Sequence, residues 1–141
     1  AFNCNLGDTL TFEYDETLYS ERIDRDSVIT GDKDLILQNS NKIELTEHLF
    51  DKDALIFSNV KSNYVILNEK KAGKHIRFTF GDSPFLAIWA KPAAPFVCIE
   101  PWYGVNDSYE KATDFSKKRG IQKLSSGKEF EFSWSAEFKE D

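Results

Sequence analysis

The strongest chemical signal in the sequence lies in residues 96–107, which read FVCIEPWYGVND. Alternation along a strand places Glu100 on the same face as Cys98, and Pro101, which has no backbone N–H to donate, then ends the strand. A carboxylate at a strand end among aromatic rings loses part of its hydration, which favours its use as a general base. The ring of Trp102 beside it offers a flat apolar surface of the kind on which sugar rings stack. A simpler alternative is a solvated or ion-paired carboxylate at a sheet edge, and the spacing alone leaves both readings open.

Short apolar runs separated by turn residues indicate the elements that would position this carboxylate. Some runs alternate apolar with polar residues, as in strands with one buried face, and others are apolar on both faces. We therefore predict an all-β chain, an antiparallel β-sandwich, forming a single domain over residues 1–141, with helix limited to a turn or two within 108–118. The alternating runs are 10–14, 76–80 and 130–138, the two-sided runs are 54–57, 64–67, 85–90 and 96–99, and the predicted turns are 31–32, 62–63, 72–73, 81–82, 92–95 and 125–127.

Charge and cysteine content exclude several classes of function. The net charge is −6, and the densest basic cluster, residues 117–119, is only three residues long. A nucleic-acid backbone or an anionic membrane needs a basic surface, so neither is an expected partner. The two cysteines, Cys4 and Cys98, have no metal-ligand spacing and lie in apolar runs, which predicts buried free thiols. No metal or nucleotide cofactor is expected, and a cytoplasmic protein is the default interpretation.

Several segments together resemble a known family. Residues 96–107 look like the late motif of the aldose 1-epimerase (galactose mutarotase-like) superfamily, and in particular of its bacterial LacX-like branch. Residues 85–92 (FLAIWAKP), 53–57 (DALIF) and 120–127 resemble further segments of that branch, in the same order. The resemblance covers nearly the whole chain. It implies a galactose mutarotase-like supersandwich that lacks its N-terminal part, so that this chain corresponds to the C-terminal portion of the domain.

The resemblance also implies roles for individual residues. In that family the Glu of the late motif is the general base, and this role carries over to Glu100. It would take the proton of the anomeric hydroxyl and so open the sugar ring, after which rotation can invert the anomeric carbon. The other residues implied or suggested as sugar-binding are Asp53, for which Asp51 is a competing alternative, together with Trp89, Lys91, Trp102, Asn3 and Asp107.

The acid that should protonate the ring oxygen is missing from the matching position. The family assigns this role to a His in a motif similar to His-Pro-Ala-Phe-Asn, whereas this chain begins Ala1-Phe2-Asn3. The acid His is therefore expected upstream of this chain. His75 is predicted to point outward from a strand, whereas His48, near Asp51 and Asp53, could approach the site.

Three functions remain open from the sequence. The leading one is an isomerase that interconverts the α and β anomers of a hexose or hexose phosphate. The second is a carbohydrate-binding β-sandwich without catalysis. The third is an incomplete half-domain that associates with a second copy or with the missing N-terminal half, because a cut sandwich exposes strand edges and apolar surface.

Overall fold

The computed structural model describes residues 1–71, 73–110 and 114–140. The described residues form nine strands in two antiparallel sheets, a four-stranded sheet of order β1-β8-β7-β4 and a five-stranded sheet of order β3-β2-β5-β6-β9. The strands are β1 (Phe2–Asn3), β2 (Thr9–Ile23), β3 (Ile29–Glu44), β4 (Leu55–Ser58), β5 (Tyr64–Asn68), β6 (Lys74–Thr79), β7 (Phe85–Trp89), β8 (Phe96–Trp102) and β9 (Ser135–Glu140). The predicted all-β sandwich is confirmed.

The main core lies between the two sheets. Phe12 of β2 and Phe57 of β4 meet there in an edge-to-face contact, with ring centroids 6.5 Å apart, and both side chains are almost fully buried. The alternating strands give one face to this core: in β5, Val65 and Leu67 are fully buried while their neighbours are half-buried. Burial of this apolar face is the main force that holds the sheets together.

The strands predicted to be apolar on both faces include β7, whose residues Phe85–Ile88 are all buried. Leu86 and Ile88 belong to the main core. Phe85, which points to the opposite face, belongs to a smaller cluster with Ile29 and Val105, against which Trp102 packs. A second apolar layer therefore covers the side of β7 that faces away from the main core.

Two buried carboxylates, those of Glu16 and Asp8, hold loops in place through hydrogen bonds. Glu16 accepts hydrogen bonds from the backbone N–H groups of Lys61 and Ser62, at 3.0 and 2.8 Å, and from the Ser62 hydroxyl at 2.8 Å. Asp8 accepts from the backbone N–H groups of Asn5 and Lys70, at 2.7 and 2.9 Å. Buried carboxylates need such partners, and these two have structural ones.

The predicted turn at 31–32 is wrong. Gly31 lies inside β3, at a shift of register where Ile23 pairs with Ile29 but Glu21 pairs with Lys33. Its φ of +95° is the left-handed conformation that glycine adopts freely, which lets the strand bulge and continue. The chain actually reverses at residues 24–28, where the Asp24 carboxylate accepts hydrogen bonds from the backbone N–H groups of Asp26 and Val28.

The predicted strand 130–138 forms only in its second half, as β9. Its register agrees with the alternation, since Ala136 pairs with Phe78 and Phe138 with Ile76, whose side chains are buried. Phe138 is nevertheless 69% exposed, and its ring meets that of Phe2 at 6.2 Å. Phe138 is exposed because β9 is the edge strand of its sheet, and the strand of the other sheet that it contacts, β1, has only two residues.

Helix is limited to one three-residue 3₁₀ turn, Phe115–Lys117, in the part of the chain that the structure describes. The predicted helical turn at 108–118 and the predicted turn at 72–73 include 111–113 and Ala72, which lie outside the described residues. Within the described ranges, no helix has the length and apolar character needed to cross a membrane.

The two cysteines are free, and we expect their reactivities to differ. Burial, with the nearby Asp8 and Glu69 carboxylates, raises the pKa of the Cys4 thiol from 9.0 to about 11, and Cys4 is only 7% exposed. Burial also raises the pKa of Cys98, which is half-buried. At pH 8 an aromatic disulfide reagent should therefore modify Cys98 well before Cys4, because the exposed thiolate is the reacting species.

Single Cys4→Ser and Cys98→Ser variants assign the two phases of that reaction. Because the folded-state pKa of Cys4 is the raised one, its contribution to stability is present below pH 9 and is lost as pH rises toward 11. Equal modification rates, or faster modification of Cys4, would contradict the burial of Cys4 between the sheets.

Candidate active site

The face of the four-stranded sheet that points away from the main core, here called the outer face, carries the candidate base. On β8, Val97 and Ile99 point into the core, so Glu100 and its alternate neighbours point outward. In antiparallel sheets directly paired residues share a face, and Glu100 pairs with Ala87 of β7. Ala87 in turn pairs with Ile56 of β4, which completes a row across three strands.

The outer face thus consists of parallel rows. The row next to Glu100 contains Trp102, Phe85 and Ser58, and the row on its other side contains Cys98 and Trp89. Beyond these, Phe96 pairs with Asn3 of β1, and the rings of Phe96 and Trp89 meet at 6.2 Å. Four of the seven residues predicted to form the site lie together on this face: Asn3, Trp89, Glu100 and Trp102.

A hydrogen bond orients the Glu100 carboxylate. The indole Nε1–H of Trp102 donates to Oε2 of Glu100 over 3.0 Å, and both side chains are half-buried. A carboxylate has about four lone-pair sites, so a bond from one indole leaves capacity to accept a proton from a ligand. Fixing a base in this way is what general-base catalysis needs of its surroundings.

The remaining three predicted residues lie around this face. Asp53 occupies the turn before β4 with a φ of +86°, and its carboxylate accepts from the backbone N–H of Ala54 at 2.7 Å. Lys91 is exposed in the loop after β7. Asp107 follows β8 and forms an ion pair of 2.7 Å with Lys118. All three are at ends of the strands that form the face, and none shares a row with Glu100.

Neither histidine of the chain lies on the outer face. His75 is on β6 of the other sheet, where it pairs with Asn68. His48 is exposed in the turn before β4, and its Nδ1 lies 2.9 Å from a carboxylate oxygen of Asp51. The structure therefore gives neither histidine a contact with Glu100.

A cavity of about 400 Å³ beside β4 contains His48 and Asp53. Several of its charged groups are paired with one another. Asp34 forms ion pairs with Arg22 and Lys52, and the hydrogen bond from the Arg22 guanidinium holds the pKa of the Asp34 carboxyl at about 2. These mutual pairings make the cavity a poor candidate for acid–base work.

Next to the site, an ion pair that the sequence did not indicate joins a buried carboxylate to a half-exposed arginine. The Glu21 side chain is 2% exposed, and Oε2 accepts from the Arg119 guanidinium at 2.8 Å. The Ser58 hydroxyl, in the row next to Glu100, donates to Oε1 of Glu21 at 3.5 Å. Arg119 also lies over the ring of Phe85, 5.2 Å from its centre. The only sequence signal was the basic run 117–119, and it could not indicate a partner 98 positions away.

Close backbone packing holds Arg119 in this place. Gly120 has a φ of +76°, and a Cβ there would lie 2.9 Å from Cε2 of Phe85 and 3.0 Å from Cα of Gly104. Only glycine allows the chain to approach Phe85 and Gly104 so closely in this conformation. The segment after β8 therefore returns over the outer face at Phe85 and places Arg119 there.

Among the described residues, no group of three or more His, Cys, Asp and Glu side chains is arranged to hold a metal ion. The described residues of the face offer one oriented carboxylate, the Cys98 thiol, the Ser58 hydroxyl, aromatic rings, and an arginine at the border.

The chain that carries this face is similar to several known proteins. The plasmid-encoded and chromosomal LacX proteins of Lactococcus lactis subsp. lactis are each 32% identical to this chain over 134 residues, which covers 88% of this chain and 45% of each LacX protein. A solved galactose mutarotase-related enzyme from Lactobacillus acidophilus superposes with a TM-score of 0.82 at 29% identity, over 94% of this chain and 45% of that one. The chain is LacX-like and galactose mutarotase-like.

A second solved structure, a galactose mutarotase-like protein from Lactobacillus casei ATCC 334, agrees with this assignment. It superposes on the LacX-like chain with a TM-score of 0.84 at 26% identity, over 97% of this chain and 50% of that one. No known family profile matches the chain. The predicted relationship and the galactose mutarotase-like sandwich are confirmed, and the LacX-like chain spans about half the length of the relatives that it matches.

Proposed function

We propose that this chain carries the base-bearing part of an aldose 1-epimerase-type isomerase, which interconverts the α and β anomers of a hexose. The observation that carries the proposal is the Glu100 carboxylate, oriented by the Trp102 indole at 3.0 Å on a half-buried face. The LacX-like relationship and the likeness to a galactose mutarotase-related enzyme support it.

Three side chains on the face have a part in the proposed reaction. Glu100 accepts the proton of the anomeric hydroxyl, and electrons of the O–H bond form the carbonyl as the bond between the anomeric carbon and the ring oxygen breaks. The rings of Trp89 and Trp102 flank Glu100 on adjacent rows and offer apolar surfaces for the sugar ring. After rotation of the aldehyde group, the reverse transfer closes the ring on the other face.

A complete reaction also needs an acid that gives a proton to the ring oxygen as it leaves. Neither His48 nor His75, the two histidines of the chain, lies on the outer face. The acid is therefore assigned to a group outside this face, or to water.

This observation favours a second candidate function, a carbohydrate-binding sandwich without catalysis. Carboxylates and aromatic rings can bind a sugar without an acid–base pair. Anomeric exchange of glucose and galactose, measured by magnetisation-transfer NMR, separates the two candidates. Exchange faster than in buffer supports the isomerase, whereas saturable binding with no acceleration supports the binding protein, and the absence of both contradicts each.

A further inference from the structure

A cavity of about 540 Å³ lies next to the outer face, beyond the ends of β8 and β7. Among the described residues, four cationic side chains line it, in a chain whose net charge is −6. Three acidic side chains, Glu21, Asp107 and Glu110, also line it, so the described part of the lining carries one net positive charge. The cationic residues are Lys33, Lys117, Lys118 and Arg119.

Two of these cations are held in place by carboxylates. Arg119 is bound to the buried Glu21 at 2.8 Å, and Lys118 to Asp107 at 2.7 Å. The Arg119 side chain is still 50% exposed. Because a guanidinium has five N–H donors in a fixed planar arrangement, donors remain for an anion in the cavity. Glu21 thus holds the guanidinium in place and leaves some of its N–H donors able to bind an anion.

The other two cations have no ion-pair partner in the described ranges of the chain. Lys33 lies directly opposite Glu21 in the β2–β3 pairing, and therefore on the same face as that carboxylate. Lys117 ends the 3₁₀ turn and is exposed. Cationic groups from three segments, β3, the 3₁₀ turn and the segment after it, therefore converge on one cavity. Charge-assisted hydrogen bonds from such groups are the usual means of holding a phosphate.

The cavity is joined to the candidate base through a short row of contacts. Ile29 lines the cavity and belongs to the same apolar cluster as Phe85, against which Trp102 packs. Arg119 lies over Phe85, in the row that also contains Trp102. Glu100 is two residues before Trp102 on the strand, a spacing of about 7 Å. Glu100 is therefore one row away from Phe85, the ring over which Arg119 lies.

We propose that this cavity binds the phosphate group of a phosphorylated sugar whose anomeric carbon lies at Glu100. The sugar part of the inference rests on the proposed function, and the phosphate part rests on the cavity itself. The chemistry that the cavity recognises is a phosphate dianion, which a sugar phosphate or free inorganic phosphate can supply.

The test is isothermal titration calorimetry at constant ionic strength with glucose, glucose 6-phosphate and inorganic phosphate. We expect glucose 6-phosphate to bind at least about tenfold more tightly than either glucose or inorganic phosphate, because it makes both sets of contacts. The double variant Lys33→Gln/Lys117→Gln should lose about tenfold in affinity for the sugar phosphate and keep its affinity for glucose. Both positions are exposed, so the variant should remain folded.

Lys42→Gln is the matched control, since Lys42 is an exposed lysine nine positions further along the same strand β3. It should bind all three compounds as the unmodified chain does. Inorganic phosphate that binds as tightly as the sugar phosphate would overturn the proposal in favour of a free-phosphate site. Equal binding of glucose and glucose 6-phosphate, or an unchanged affinity in the double variant, would overturn it as well.

The two proposals fail in distinguishable ways. If glucose anomers exchange faster in the presence of the chain but phosphate has no effect on affinity, the isomerase stands and the phosphate site is wrong. If the sugar phosphate binds through Lys33 and Lys117 but its anomers exchange no faster than in buffer, the phosphate site stands and the isomerase is wrong.

Discussion

Replacing Glu100 by Gln is expected to remove the acceleration of anomeric exchange, by a factor of about 10² to 10⁴, the usual contribution of a positioned general base. The amide keeps an oxygen that can accept the hydrogen bond from the Trp102 indole, so the geometry of the face should persist. What the variant loses is the ability to take a proton. The measurement is magnetisation-transfer NMR between the anomers of glucose and of galactose.

The matched control for this prediction is Glu131→Gln. Glu131 is exposed in the segment before β9, outside the strands of the outer face. It should leave both the exchange rate and the unfolding midpoint unchanged. An exchange rate that survives in Glu100→Gln, while the chain remains folded by circular dichroism, would show that Glu100 is not the base.

The largest expected loss of stability follows from Phe57→Ala. The Phe57 ring is fully buried between the sheets, and its edge-to-face contact with Phe12 joins β4 to β2. Removing a buried phenyl ring costs its transfer free energy and leaves a cavity, for a total of about 3–5 kcal/mol in the free energy of unfolding. Urea unfolding followed by circular dichroism measures this quantity.

Phe115→Ala makes the same chemical change at a site that is 73% exposed. Its effect should stay within about 0.5 kcal/mol, as for most surface substitutions. If the two variants unfold at similar urea concentrations, the two sheets do not pack against each other around Phe57 as described.

Alternation along β8 predicted which residues share a face, but it could not tell which face points to the core. Glu100 and Cys98 do share a face, as expected. The sequence interpretation aligned Glu100 with an apolar strand face, whereas Val97 and Ile99 form the buried one. Both faces of this strand carry apolar residues, so the choice depends on what packs against each side, and that is a property of the whole sandwich.

Pairings between distant segments were also beyond the sequence. Glu21 and Arg119 are 98 positions apart, and nothing in the local pattern of either residue indicates the other. The same holds for the burial of β9. Its alternation correctly placed Ala136 and Phe138 on the core side, but the extent of burial depends on how far the opposite sheet reaches.

Turn-forming residues predicted a reversal of the chain correctly at some positions, but at Gly31 the same residue type formed a bulge within a strand. The turns at 62–63, 81–82 and 92–95 separate strands as predicted. Gly31 instead allows a bulge within β3, because a positive φ is compatible with both structures. The choice between them was made by the pairing of β3 with β2, which local sequence does not specify.

The central claim is that the outer face of the four-stranded sheet binds a sugar, and the three tryptophans of the chain test it most directly. Trp89 and Trp102 lie on this face, whereas Trp134 stacks on Phe78 of the other sheet, with ring centroids 5.6 Å apart. The indole N–H signals in a ¹⁵N-correlated NMR spectrum, assigned with single Trp→Phe variants, report on each ring separately. Titration with glucose or galactose should shift the signals of Trp89 and Trp102 and leave that of Trp134 in place. Shifts confined to Trp134, or no shift of Trp89 and Trp102 at saturating sugar, would contradict the account.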